Sequence, residues 1–372
     1  MEQRLTRCPS CQGVRGSSVA VTSHRQEDVI PARVEVTCFQ RYRSDCARGR
    51  TVVTAPPAPE ESPQSRLGPQ GLMRALLWKS VHGLPFNKIR TACQPFANLP
   101  VSEGALAQAL QRLASWLQVE TTALREAIRR SPATPVDETG WTLTGVNHWL
   151  WAFVTERLAY VRIDRSRGSG VPKDVLGSDY AGVGIRDCHS AYNRLQGPQQ
   201  QCGVHLRRAL RECATKARSD EYRSAHRRLR RLFLDARGLT RRRTTPPPLR
   251  VQRRQQRLEA RLFVWGATPY RNQTWRRLAG RILTHHQPFL TCLKGPGVPM
   301  DHHQAERAIR PHVLIRHRSS QSRSPTRAAT HASLMSLIQT LTLQGRAIGE
   351  TLRTAYLRHR QGDLTPVVVS QS

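Results

Sequence analysis

Apolar residues in this chain recur first at helical spacing and then at strand spacing. Leu106, Leu110, Leu113 and Leu117 stand at i, i+4, i+7 and i+11, which lays one apolar stripe along a helix. Ser102 is placed to cap that helix, and Glu103 in its first turn favours the positive end of the dipole. An earlier helix over residues 72–81 stops at Gly83, ahead of Pro85. Residues 69–130 are therefore expected to be helical, either as a helix-turn-helix that binds DNA or as a plain bundle joining two domains. From Thr134 the period shortens to two. Trp141 and Leu143 alternate with threonines, Gly145-Val-Asn147 offers a turn, residues 148–155 are apolar on both faces, and Tyr160-Val-Arg-Ile163 supplies a third strand. This pattern predicts a β-meander that carries Asp137.

Residues 171–176 suit a short helix, and Ala181-Gly-Val-Gly-Ile185 suits a buried strand that delivers Asp187 at its end. A helix is expected from about Ser190, and a further element around residues 202–205 continues an α/β alternation. Residues 206–295 are Arg-rich, helical in pattern and broken by Thr244-Thr-Pro-Pro-Pro248, so they read as an insertion. A helix carrying Glu306 follows Gly295-Pro-Gly297. Leu334, Leu337, Ile338 and Leu341 give the last clear helix a single apolar face.

Ahead of all this, residues 1–54 hold Cys8, Cys11, Cys38 and Cys46 together with β-branched stretches such as Val34-Glu-Val-Thr37. Residues 55–68 form a Pro-rich segment expected to be a stiff, extended linker. The chain thus divides into a cysteine module (1–54), a linker (55–68), a helical segment (69–130), an α/β core with its insertion (131–320) and a C-terminal helix with a tail (321–372). No apolar run approaches the roughly 18–20 residues that span a bilayer, and the N-terminus lacks the apolar core of a signal peptide. An intracellular protein is expected. Nine cysteines, an odd number, argue against a disulfide framework. Cys93, Cys188, Cys202, Cys213 and Cys292 read as buried thiols, and Trp265 and Trp275 as core rather than stacking platforms.

Charge then changes the picture. The 372 residues carry 59 Lys+Arg against 26 Asp+Glu, a net charge of +33. Such an excess points to nucleic acid, because each phosphate contact releases counterions. A membrane surface is the weaker alternative, since no basic helix with a bulky apolar face stands out. The runs at Arg227-Arg228, Arg230-Arg231, Arg241-Arg-Arg243 and Arg253-Arg254 are read as surface for the DNA backbone. Against that background Asp137, Asp187 and Glu306 are conspicuous. A protein that holds a polyanion has one good use for bare carboxylates beside it: they bind divalent cations where a phosphodiester is cut. Mg²⁺ takes oxygen ligands from a few carboxylates and from substrate phosphate. Two such ions activate an attacking hydroxyl and stabilise the leaving oxygen. Spacing alone is weak support, since 26 acids offer many such triples.

The local phrases are more specific. Val136-Asp-Glu-Thr-Gly-Trp141, Gly145-Val-Asn-His-Trp-Leu-Trp151, Ser166-Arg-Gly-Ser169, Asp187-Cys-His-Ser-Ala-Tyr-Asn193 and Ala305-Glu-Arg-Ala-Ile-Arg-Pro311 occur in this order. In these the chain resembles the transposases of the insertion-sequence sixty-six family, bacterial DDE enzymes with an RNase H-like catalytic core. The resemblance runs from Cys8 to the region of Leu352. It implies an α/β fold, a helical insertion, and a small zinc-finger-like cysteine module ahead of a helical segment. It implies that Asp137, Asp187 and Glu306 are the DDE triad. These residues would use Mg²⁺ or Mn²⁺ to nick double-stranded DNA at transposon ends and to join the 3′-OH to target DNA. Expected partners are those DNAs, further copies of the chain on them, and accessory proteins of the same element, in the bacterial cytoplasm at the nucleoid. The other reading is a truncated or decayed copy that only binds DNA.

Glu138 competes with Asp137 for the ligand role, but adjacent strand residues face opposite sides, and the motif match favours Asp137. His205, in Cys202-Gly-Val-His-Leu-Arg-Arg208, matches a second family phrase. It either orients a phosphate or water beside the metals or is a structural histidine at a strand-to-helix junction. Arg207 and Arg208 belong to that phrase. Arg307 and Arg310 share the helix of Glu306 and are read as phosphate contacts, the alternative being an i,i+4 pair with the acid. Cys8-Pro-Ser-Cys11 is half of a zinc motif, which Cys38 and Cys46 would complete. Two features depart from the family. Asp301-His-His303 stands where an Asn-rich phrase is usual, and the chain starts close to the cysteines, as a truncated copy would.

Overall fold

The computed structural model describes Gly13 and residues 34–45, 52–216, 220–240, 249–294, 297–319 and 322–369. Cys8, Cys11 and Cys46, and with them most of the expected zinc motif, lie outside the described residues, as do Arg241-Arg-Arg243 and the Thr244–Pro248 break. Strands β1 (Arg43–Asp45) and β2 (Val52–Thr54) form a short antiparallel pair. The β-branched stretch at Val34 and Val36 forms no strand and is exposed. The Pro-rich segment does not stand free. Glu61, Ser62 and Leu67 are buried, and Tyr356 Oη bonds Ser62 Oγ at 3.1 Å.

Four helices follow: α1 (Pro69–Ser80), α2 (Phe86–Ala97), α3 (Glu103–Trp116) and α4 (Gln118–Arg129). The Leu106, Leu110, Leu113 and Leu117 stripe is buried throughout. Ser102 Oγ accepts the Ala105 N–H at 3.1 Å, the capping bond that the sequence predicts. These helices share one core with α5 (Gly170–Leu176), α11 (Pro325–Leu343), α12 (Ile348–Arg360) and one face of the main sheet.

That sheet contains β3 (Ala133–Leu143), β4 (Val146–Val154), β5 (Ala159–Asp164), β6 (Val183–Arg186) and β7 (Gln199–Gln201), in the order β5-β4-β3-β6-β7. The meander β3-β4-β5 is antiparallel, whereas β6 and β7 run parallel to the start of β3. The β3–β4 turn has positive φ at both Thr144 (48°) and Gly145 (80°). That is the primed turn geometry that matches strand twist, and glycine supplies it without strain. Strand β4 lies between β3 and β5 and is buried on both faces, with Leu150, Trp151, Ala152, Phe153 and Val154 at 0–1% exposure. The helix expected from Ser190 is only a 3-10 turn, Ser190–Tyr192, because Asn193 ends it and the chain must return at once to β7.

The basic segment forms α6 (Gly203–Lys216), α7 (Asp220–Thr240), α8 (Leu249–Ala267) and α9 (Gln273–His285) around a core of its own. Trp265 and Trp275 are buried there, the latter stacked on Tyr222 with centroids 4.8 Å apart. Helix α10 (His303–Ser319) crosses the other face of the sheet, where Ala305 and Ile309 pack on Trp141, Leu150 and Ala152.

One expectation about α11 is corrected. It does not have a single apolar face: Leu334, Met335, Ser336, Leu337, Ile338, Thr340 and Leu341 are all buried. The helix lies along edge strand β5 on one side and against α1, α3 and α4 on the other. Its two buried polar residues, Ser336 and Thr340, serve the sheet edge. Ser336 Oγ accepts the Val161 N–H at 2.8 Å and Thr340 Oγ1 accepts the Ala159 N–H at 2.9 Å. These bonds satisfy backbone donors that an open edge would leave for another strand.

Candidate active site

Strand register alone brings the two aspartates together. The parallel pairing of β3 with β6 ends at Pro135 opposite Ile185. Asp137 and Asp187 each stand two residues beyond that pair, so they leave neighbouring strands at the same level and on the same face. Carboxyl ends of parallel strands are where open α/β sheets place their sites. Asp187 is held in the following turn, its Oδ1 accepting the His189 N–H at 2.8 Å. Asp137 Oδ1 accepts the Glu138 N–H at 3.0 Å.

Glu306 arrives from α10, in whose first turn it lies. The packing of Ala305 and Ile309 on the Ala152 side of the sheet directs this turn toward Asp137, whose strand partner is Ala152. The fully buried His302 stands between the acids, with Nε2 3.9 Å from Asp137 Oδ1 and 4.0 Å from Glu306 Oε1. His205 Nε2 is 3.9 Å from the same Glu306 oxygen, and His303 Nδ1 bonds Glu306 Oε2 at 2.9 Å.

The electrostatics follow from this crowding. Burial, then the charges of Glu138, Asp187 and Glu306, push the Asp137 carboxyl up to about 7, against the pull of the Glu138 N–H. Glu306 goes the other way. Burial raises it, but the His303 hydrogen bond and the neighbouring His302 and His205 outweigh burial and leave it below the ordinary carboxylate value. Burial and His205 press His302 down to about 4, so its imidazole is neutral at pH 7.

Glu138 points to the opposite face, where its strand partner is Trp151. Its carboxylate accepts the Tyr192 hydroxyl and two bonds from Arg167, at 3.1 Å from Nε and 3.0 Å from Nη2. Arg167 also lies over the Trp149 ring, 4.2 Å from its centroid. The phrase Ser166-Arg-Gly-Ser169 therefore serves Glu138, and Tyr192 joins it from the Asp187 phrase. Sequence reasoning did not foresee this supporting layer, because its members meet only across strands. Buried Arg186 likewise went unread. It bonds Gln199 Oε1 at 2.6 Å and the Asp187 carbonyl at 3.1 Å, and so fixes the end of β6.

Arg207, Arg208, Arg307 and Arg310 are all exposed, and none is paired with a carboxylate among the described residues. In particular Arg310 makes no i,i+4 pair with Glu306, whose partners are the three histidines. Of the thiols, Cys93, Cys202, Cys213 and Cys292 are buried as expected, Cys188 is only half-buried, and Cys38 is exposed.

No helix of the described residues is long and apolar enough to cross a membrane. Comparison with curated proteins finds no match. The sequence profile described as Transposase IS66 family matches residues 64–330, a span that runs from just before α1 into α11 and contains all three acids. With nearly three quarters of its length so matched, the chain belongs to the IS66 family of transposases.

Proposed function

We propose that this chain is a DDE transposase, in which Asp137, Asp187 and Glu306 hold divalent cations for phosphodiester cleavage and strand transfer. The observation that carries the reading is the convergence of the three carboxylates, with Asp187 and Glu306 close enough to add to the burial and the Glu138 charge that together push Asp137 up to about 7. Mutual repulsion in a partly desolvated site is what a bound cation would relieve. A donor set of carboxylate oxygens suits Mg²⁺ or Mn²⁺. The sheet order, an antiparallel meander extended by two parallel strands, supports an RNase H-like core. The same convergence speaks against a copy that only binds DNA, which would have no reason to keep three acids together.

When bound, such ions supply the activation of water or a 3′-hydroxyl and neutralise charge on the leaving oxygen. The chain's own residues do the rest. β3 and the end of β6 present the aspartates on rigid backbone, and His189 N and Glu138 N each occupy one carboxylate oxygen. His303 orients Glu306 through one oxygen and leaves the other facing His302 and His205. Arg207, Arg208, Arg307 and Arg310 lie on α6 and α10, the helices that carry His205 and Glu306, with guanidinium groups that pair with no carboxylate among the described residues and are suited to phosphate. We place the DNA there, with His205 beside it. The two-stranded N-terminal unit, the four-helix segment and the basic insertion are assigned to DNA handling and assembly of copies on DNA.

The test is a nicking and strand-transfer assay on DNA bearing the element's ends. Asp137→Asn, Asp187→Asn and Glu306→Gln should each abolish Mg²⁺-dependent products while leaving DNA retention largely intact. Undiminished nicking by any one of them removes that residue from the assignment.

A further inference from the structure

Beside the acids lies a second, chemically different group. Cys202 immediately precedes α6, His205 is three residues on and so lies over the same turn, and His302 precedes α10. One ligand atom from each lies within 4.8 Å of the other two. The segments are tied together by Gly203 N–H to Met300 O at 3.0 Å, so the grouping follows from the backbone. His205 and His302 stack with ring centroids 4.8 Å apart and planes 16° from parallel.

The unusual member is His302. It has no exposed surface, yet neither ring nitrogen has a hydrogen-bond partner, and the buried Nδ1 of His205 has none either. Buried polar atoms in folded proteins are nearly always satisfied, and a buried imidazole with two idle nitrogens beside a buried sulfur calls for a shared partner. The backbone N–H groups of His205, His302 and Val204 face the Cys202 sulfur, which burial nonetheless pushes up to about 11.

We infer that Cys202, His205 and His302 form a nitrogen–sulfur site for a borderline transition ion of the zinc class, distinct from the oxygen site of the triad. Sulfur and imidazole donors select such ions over Mg²⁺. Donors on one tetrahedral ion, bound at about 2.0–2.3 Å, stand roughly 3.3–3.8 Å apart, so the set closes by about 1 Å on binding. Glu306 Oε1, 3.9 Å from His205 Nε2 and 4.0 Å from His302 Nε2, is a fourth donor within reach of both imidazoles. The ion would clamp the start of α6 to the start of α10 and fix the basic helices relative to Glu306. This inference does not depend on the phosphoryl-transfer reading.

Cobalt(II) provides the test, in the full-length chain with Cys8, Cys11, Cys38 and Cys46 changed to serine so that no other cysteine motif contributes. At least one cobalt per chain should bind, with a sulfur-to-cobalt charge-transfer band and the intense visible bands of a tetrahedral site. Cys202→Ser in that background should abolish the charge-transfer band, and His302→Asn should weaken binding at least about tenfold. Zinc X-ray absorption of the same background, which needs no further variant, should give one sulfur at about 2.3 Å with imidazole nitrogen. No cobalt absorption, a charge-transfer band that survives Cys202→Ser, or a zinc shell without sulfur would each overturn the inference. Loss of nicking in Asp137→Asn or Asp187→Asn leaves these spectra in place, so the two readings fail separately.

Discussion

Asp137→Asn should make the metal-free protein more stable at neutral pH while removing its activity. The carboxyl rises from an ordinary 3.8 to about 7 in the folded chain. Because the folded value lies above the unfolded one, folding takes up a proton. The associated stability is complete below about pH 4 and is lost as pH rises through about 7. A shift of about 3 units at about 1.4 kcal/mol each corresponds to roughly 4 kcal/mol for the ionised group. The side chain keeps 23% of its surface, and screening there reduces the figure to about 2–4 kcal/mol. Asparagine carries no charge, and its carbonyl can still accept the Glu138 N–H. Urea unfolding in EDTA should thus find Asp137→Asn more stable than wild type by about 2–4 kcal/mol near pH 8, and by under about 2 kcal/mol near pH 5. Mg²⁺ should then stabilise wild type and close the gap. A variant no more stable than wild type near pH 8, or a difference that does not change with pH, would refute the claim that burial and the neighbouring acids hold the Asp137 carboxyl high.

Other consequences follow from contacts outside the triad. Buried Glu120 accepts His359 Nε2 at 2.9 Å and the Val367 and Val368 N–H groups at 2.8 and 2.9 Å, which pins the C-terminal tail to α4. Glu120→Ala should cost about 3–5 kcal/mol, read as a lower urea midpoint, with the tail newly open to limited proteolysis. Replacing Ser336 or Thr340 by alanine leaves an edge N–H of β5 unpaired, at about 1–3 kcal/mol each. Faster amide exchange at Val161 and Ala159 respectively should report it. Ser102→Ala removes the α3 cap and should cost about 1 kcal/mol in the same unfolding assay. Arg307→Ala and Arg310→Ala should weaken DNA binding irrespective of sequence, each lowering the salt-dependence slope by about 1.

Much of the architecture was legible in the sequence because it depends on neighbours a few residues apart. The leucine stripe and Ser102 defined α3, the period-two stretch and Gly145 defined the β3–β4 hairpin, and the Gly83-Leu-Pro85 stop closed α1. The phrases around Asp137, Asp187 and Glu306 singled out the acids and led to the family. What the sequence left open depends on segments that meet across the fold. Strand alternation shows that only one of Asp137 and Glu138 can face the site, and the sheet gives Asp137 to α10 and Glu138 to Tyr192 and Arg167. The helix expected at Ser190 was cut short because β7 must pair with β6 almost at once. Helix α11 showed an apolar stripe, yet Ser336 and Thr340 are buried as well, since the edge of β5 supplies donors for their hydroxyls. Cys202 and His302 are far apart in sequence, and only the backbone link between Gly203 and Met300 makes them neighbours. Short-range periodicity fixes an element and its faces, while long-range pairing decides which face meets which charge.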